Sequence, residues 1–175
     1  MGAKNLKAIA VRGSLPVSLQ NPEGLITLRG NITALLSAWN NYAQWRRWGA
    51  APLLLSSDKA GMLTTQNYRE GSWPDIAKLS LPTAEREFWL RHAACAYCPL
   101  KCVKVGKLSQ GPWKGVIAEG PDYSAGAMLG SNCGVKDFGG LMKLISRADD
   151  LGMDPIAAGN VLGFVMDLFE HGILR

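Results

Sequence analysis

The sequence predicts a mainly α fold preceded by one short β-strand. Three observations carry this expectation. Near the C-terminal end, Asp137 to Leu151 and Pro155 to about Phe169 repeat apolar residues at helical spacing between recognisable caps. A third stretch with that period runs from about Ile32 to Trp48. Set against these is a single strand-like run, Leu6 to Arg12, which alternates weakly and ends at Gly13. A lone strand is not stable by itself, so this element is expected to pair with something outside the sequence.

The elements follow in chain order. After the strand, Pro16 to Leu28 reads as a linker containing Pro22 and Gly24. The helix from Ile32 has Asn31 as its cap and Ile32, Leu35, Leu36, Trp39 and Tyr42 on one face, and Gly49 ends it. Trp39, Trp45 and Trp48 with Arg46 and Arg47 are read as a core-facing stripe with a solvated basic tip; base stacking beside phosphate contacts is the alternative. Ala50 to Ser80 is rich in loop signals, and so long an irregular segment is often functional. A helix is expected from a cap at Thr83 to His92, with His92 complementing the C-terminal dipole. Ala118 to Val135 is dominated by small residues, which let backbone approach a ligand or another backbone closely. Asp137 and Asp154 cap the last two helices, Gly152 and Gly172 stop them, and Pro155 takes the first helical position of the second. In that last helix Val161, Phe164, Val165, Leu168 and Phe169 are expected to face inward.

Bulk properties narrow the classes of function. The 175 residues are 47% hydrophobic and 19% charged, enough for one domain with a core or two small ones. The net charge of +5 is mild and no dense basic run accompanies it, so nothing supports nucleic-acid binding. No apolar run reaches the length of a membrane span, and the start does not read as a signal peptide, so a cytoplasmic location is expected. Four cysteines are too few for a disulfide scaffold at this length.

Three of them fall within eight residues, Cys95, Cys98 and Cys102, spaced Cys-x2-Cys-x3-Cys. Thiolates are soft ligands that select zinc, copper(I) or an iron–sulfur cluster. A three-cysteine run with its fourth ligand distant suits a cubane cluster, in which each iron takes one cysteine. The alternatives are a structural zinc site completed by Cys133 or His92, or unliganded thiols. Cys133, between Asn132 and Gly134, is read as a core residue. Asp149 and Asp154 bracket a tight turn, where the plain reading is a surface carboxylate followed by a helix cap.

Four stretches in this order, M-G-A-K-N-L-K-A-I-A-V-R-G, C-A-Y-C-P-L-K-C, E-G-P-D-Y followed by L-G-S-N-C-G-V, and A-D-D-L-G-M-D-P-I-A-A-G, resemble the aldehyde ferredoxin oxidoreductase family of tungsten–pterin, sometimes molybdenum–pterin, enzymes. The resemblance covers nearly the whole chain. It implies oxidation of an aldehyde to a carboxylic acid, with two electrons passed to ferredoxin. It also implies a tungsten or molybdenum ion held by the dithiolenes of two pterins, and a nearby [4Fe-4S] cluster. Cys95, Cys98 and Cys102 match three cluster ligands. Asp149, Met153 and Asp154 match a turn that contacts one pterin, Met153 through its backbone. Residues 1–14 would be the last strand of a β-rich, truncated N-terminal pterin-binding domain, and residues 15–175 the start of the helical cluster- and pterin-binding region.

Three departures accompany the resemblance. The family's first pterin-binding domain precedes the first of these motifs and is absent here. Its fourth cluster cysteine lies beyond residue 175, and Cys133 does not match it. Where the family often reads E-Y-E, this chain has Asp122-Tyr123-Ser124, and a serine cannot replace a carboxylate as acid or base at neutral pH. No catalytic residue is therefore assigned. The expected function is that of part of an aldehyde-oxidising enzyme, whose isolated chain is not expected to be active. The alternatives are an iron–sulfur electron-transfer subunit docking to a partner that completes the pterin site, and a zinc-bound remnant. Ser124 also keeps open a reductase acting on aromatic thioesters.

Overall fold

The computed structural model describes residues 2–79 and 81–175. The chain divides into two compact units between Ala43 and Gln44.

In the first unit, α1 (Pro22–Ala38) is capped by Asn21, whose side-chain oxygen accepts the Gly24 N–H at 2.8 Å, and Pro22 sits in its first turn. The expected linker to Leu28 is therefore largely helix. Proline at that position replaces an N–H that the helix could not use and starts the helix rather than breaking it. The single helix expected from Ile32 to Trp48 is two, α1 and α2 (Tyr42–Trp48), because the chain leaves helical geometry at Trp39 and turns through Asn40 and Asn41. Leu6 to Arg12 forms no strand, and Ile9 and Val11 are exposed. Among the described residues of this unit none is buried.

The second unit contains the core: Leu54, Leu63, Trp73, Ile76, Leu79, Phe88, Leu108, Leu129, Phe138, Leu141, Met142 and Ile145 all belong to one cluster. Its spine is α6 (Phe138–Leu151). Leu141, Ile145 and Ala148 recur at helical spacing and are buried; Asp137 caps the helix through the Gly140 N–H; Gly152, left-handed at φ +67°, ends it. These features match the expectation from sequence. The stretch from Ala50, expected as loop, contains α3 (Pro52–Lys59), again opened by a proline, and a 3-10 turn at Ile76–Leu79. Ser80 lies outside the described residues.

The largest correction concerns the approach to the cysteines. The helix expected from Thr83 to His92 stops early: α4 spans Leu81–Glu87, with Thr83 inside it. The chain then enters a three-stranded antiparallel sheet of β1 (Trp89–Ala93), β2 (Val103–Lys107) and β3 (Ile117–Glu119), in that order. Each strand is only three to five residues long, too short for the alternation to stand out. His92 is thus a strand residue paired across from Lys104, not a partner of a helix end.

After β3 the small-residue run folds into a buried, tightly wound segment. It comprises α5 (Tyr123–Ala125), a π-helical turn (Gly126–Gly130) and a 3-10 turn (Ser131–Cys133). Against it packs α7 (Pro155–Glu170). The inward face expected for α7 is the wrong one. Val161, Phe164 and Phe169 are 60%, 54% and 65% exposed, whereas Ala158, Gly159 and Gly163 are buried. A Cβ at Gly159 would stand 2.5 Å from the Met128 carbonyl atoms. The helix is apolar on most sides, so periodicity could not choose between its faces. Close backbone approach selects the glycine side. No helix among the described residues is long and apolar enough to cross a membrane.

Candidate metal and cofactor site

The three clustered cysteines occupy the loop joining β1 to β2. Arg91, His92 and Ala93 pair with Val105, Lys104 and Val103, so the hairpin holds both ends of the loop in register. Within it the Cys98 N–H donates to the Cys95 carbonyl at 3.0 Å, closing a four-residue turn. Tyr97 at φ +62° takes the left-handed conformation that the third residue of a type II turn adopts, and Lys101 at φ +53° reverses the chain again. Cys95 is exposed, Cys98 and Cys102 are half-buried, and all are free thiols. Among the described residues no three His, Cys, Asp or Glu side chains meet closely enough to hold one metal ion. In the chemistry of its donors the set of three cysteines fits a cubane, which takes one thiolate per iron and leaves one iron to another donor. That donor is not Cys133, whose thiol is buried against the Met128 and Gly159 carbonyls at 3.3 and 3.4 Å. Burial pushes that thiol up from its ordinary pKa.

Beside the hairpin lies a cavity of about 570 Å³. Its walls are Trp48 ending α2 and Ala50 beyond it, Cys102 to Lys104, Glu119 to Asp122 from the end of β3, Ser124 and Ala125, Ile145 and Asp149 of α6, and Asp154 to Ile156 opening α7. The structure thus brings Cys102, Asp149 and Asp154 onto one cavity. Cys95, Cys98 and Met153 do not line it, and the Met153 N–H is already bonded to the Ala148 carbonyl at 2.8 Å. Asp154 keeps its capping role, accepting the Ile156 and Ala157 N–H groups at 3.1 and 3.3 Å. Asp122 likewise caps α5 through Ala125 at 2.8 Å.

Asp149 is exposed, but partial desolvation at the cavity edge and then neighbouring Asp150 hold it above the ordinary carboxylate pKa. Folding therefore raises the proton affinity of this group, and stability contributed by it falls as pH rises from the unfolded to the folded pKa. Asp149→Asn removes that loss. The variant is expected to melt slightly higher than wild type at pH 7, with the difference closing as pH falls below about 4, the ordinary aspartate value. A melting series against pH checks this; a constant difference at every pH would point to a cause other than ionisation.

Sequence reasoning placed Trp48 in a core-facing stripe and Arg47 at a solvated basic tip, but foresaw neither their shared partner nor the burial of Lys104. Trp48 donates its indole N–H to Glu85 at 2.8 Å, and Arg47 pairs with the same carboxylate at 2.9 Å, holding it below its ordinary pKa. Trp48 and Arg47 are thus both held to α4. Lys104, in a strand whose alternation would send it to solvent, is buried. The only sequence signal for it is its place two residues after Cys102.

Comparison with known proteins shows the family. The family model described as aldehyde ferredoxin oxidoreductase, domains 2 and 3, matches residues 28–175. An aliphatic sulfonate oxidoreductase, WOR-like subunit, of Pyrococcus furiosus is 32% identical over 99% of this chain. Tungsten-containing aldehyde ferredoxin oxidoreductases of P. furiosus and Thermococcus kodakarensis are 30% and 31% identical over 100% and 99% of it. The chain spans 28% of the length of each of these relatives. On these matches the chain belongs to the aldehyde ferredoxin oxidoreductase family, as a segment whose greater part corresponds to that family's domains 2 and 3.

Proposed function

We propose that this chain forms the cluster-binding loop and one wall of the pterin pocket of a tungsten-dependent oxidoreductase, one that oxidises aldehydes to carboxylic acids and passes the electrons through a [4Fe-4S] cluster to ferredoxin. The observation that supports this most is the shared cavity: Cys102 of the thiolate loop and the two aspartates of the α6–α7 turn border the same space. Cys95, Cys98 and Cys102 would each hold one iron. Asp149 and Asp154 would accept hydrogen bonds from pterin N–H groups, to which carboxylates are well suited, and Met153 would border them on the same turn. When bound, the tungsten bis-pterin, or its molybdenum counterpart, supplies the two-electron chemistry; the protein binds, orients and excludes water. Residues 1–14, which form no strand here, would belong to the preceding domain; the family model begins at residue 28 while the relatives match the chain from its start.

A second substrate reading has a specific observation behind it. Ser124 lines the cavity where the resemblance expects a glutamate, and one relative is named for aliphatic sulfonates. An altered proton path would favour such a non-aldehyde substrate.

Elemental analysis of the anaerobically purified chain tests the reading. Iron and acid-labile sulfide in cubane ratio support the cluster, and tungsten or molybdenum supports the pocket. Zinc without sulfide would overturn the cluster and leave a zinc-bound remnant. Iron and sulfide with neither tungsten nor molybdenum would favour an electron-transfer subunit.

A further inference from the structure

Lys104 is 3% exposed and is the one buried charged residue among the described residues. Its Nζ donates to the carbonyls of Arg46, Lys101 and Cys102, each at 3.1 Å. The three carbonyls match the three N–H groups that an ammonium can donate, while burial pulls the pKa of this lysine down from its ordinary value. Two of the carbonyls belong to the end of the cysteine loop and the third to α2, so one side chain ties that arm of the loop to the helix beside it. Gly49 closes the same joint: a Cβ there would collide with the Cys102 carbonyl. Among the described residues no carboxylate lies within ion-pair distance of Lys104. A buried cation without a counter-charge is costly. Carbonyl dipoles solvate it but leave its charge uncompensated, and two of the three belong to the arm that carries Cys102.

We propose that Lys104 is a positioning residue for the cluster, fixing the Cys102 arm and supplying the positive charge that balances the thiolate-ligated cluster beside the cofactor cavity. This rests on the cluster reading above and extends it to a residue with no ligating atom. Two consequences follow. Without the three hydrogen bonds the Cys102 arm loses its anchor, and the cluster is released more readily. Without the charge, the reduced and more negative form of the cluster loses stabilisation, and its midpoint potential moves negative, since net charge is one of the factors that set cluster potentials.

The test uses the full chain as wild type, Lys104→Met and Lys104→Gln, reconstituted anaerobically with ferrous iron and sulfide. The readouts are cluster release to a chelator and midpoint potential from a dye-mediated titration. Lys104→Met is expected to release its cluster about tenfold faster or more, the usual cost of losing an outer-sphere partner, and to shift negative in potential. Lys104→Gln keeps two amide donors but no charge. It is expected to release the cluster more slowly than Lys104→Met while showing a comparable negative shift. If Lys104→Met does not fold, as judged by circular dichroism before reconstitution, Lys104→Gln carries the decision. Wild-type potential in the folded variants overturns the charge role, and wild-type release in them overturns the anchor. Failure of the wild type to take up iron with sulfide overturns the cluster reading and this proposal with it.

Discussion

Cys98→Ala is expected to abolish the iron–sulfur absorbance of the reconstituted chain while leaving the fold of residues 44–175 in place. Cys98 is half-buried at the centre of the loop, and the hydrogen bond it contributes to the turn comes from its backbone N–H, which alanine retains. Its replacement lies outside the hydrophobic core cluster, so the unfolding free energy of the apo chain should change by less than about 0.5 kcal/mol. The thiolate itself has no substitute, because each iron of a cubane takes its own cysteine. Cys133→Ala should behave in the opposite way. It removes a buried sulfur packed on the Met128 and Gly159 carbonyls and so costs about 1 kcal/mol of stability, with the cluster content unchanged. Iron and sulfide per chain, measured beside a urea titration, separate the two. If Cys98→Ala retains full iron, the loop is not the cluster site.

Gly49→Ala is expected to destabilise the chain by about 2–5 kcal/mol, the sum of two penalties of different origin. Gly49 is left-handed at φ +62°, a conformation that costs a residue with a Cβ roughly 1–2 kcal/mol. The added methyl also collides with the Cys102 carbonyl oxygen, and backbone must move to relieve it, at a further cost of about 1–3 kcal/mol. For a chain of this size the melting temperature should fall by roughly 4–20 °C. The displacement falls on the arm that carries Cys102, so cluster retention should fall with it. Gly134→Ala is the matched control: it too is left-handed, at φ +66°, but a Cβ there meets nothing within 4 Å. It should show only the conformational penalty and no loss of cluster. Equal effects in both variants would mean that the contact with Cys102 contributes nothing.

How much of this was legible beforehand depended on how local each signal was. The caps and stops of α6 and α7, Asp137, Gly152, Asp154 and Pro155, act within one turn of themselves, and the sequence displays them directly. The three cysteines were equally plain from spacing. The hairpin that presents them was not, because β1 and β2 hold together by pairing across a nine-residue loop, and nothing in Trp89–Ala93 alone prefers strand to helix. The inward face of α7 was missed for a related reason. Its burial is decided by the Met128 backbone opposite Gly159, a partner more than thirty positions away. Of the site, the cysteine loop and the aspartate turn were visible as motifs, but their meeting at one cavity was not. Lys104 was hidden most thoroughly, since its partners are carbonyl oxygens, which every residue carries and no sequence pattern marks.

The unburied state of residues 3–43 has a consequence for amide hydrogen exchange. The helix α1 has seventeen residues, two of them internal glycines, and no buried side chain. A helix of that length without tertiary packing is marginal in water, so its N–H groups open without waiting for the core to unfold. Those of α6 and β2 sit among residues that open only with the whole second unit. Deuterium uptake by the intact chain should therefore fall into two kinetic classes that meet near Ala43, the early one reporting helix fraying and the late one the global unfolding free energy of the body that carries the cysteine loop.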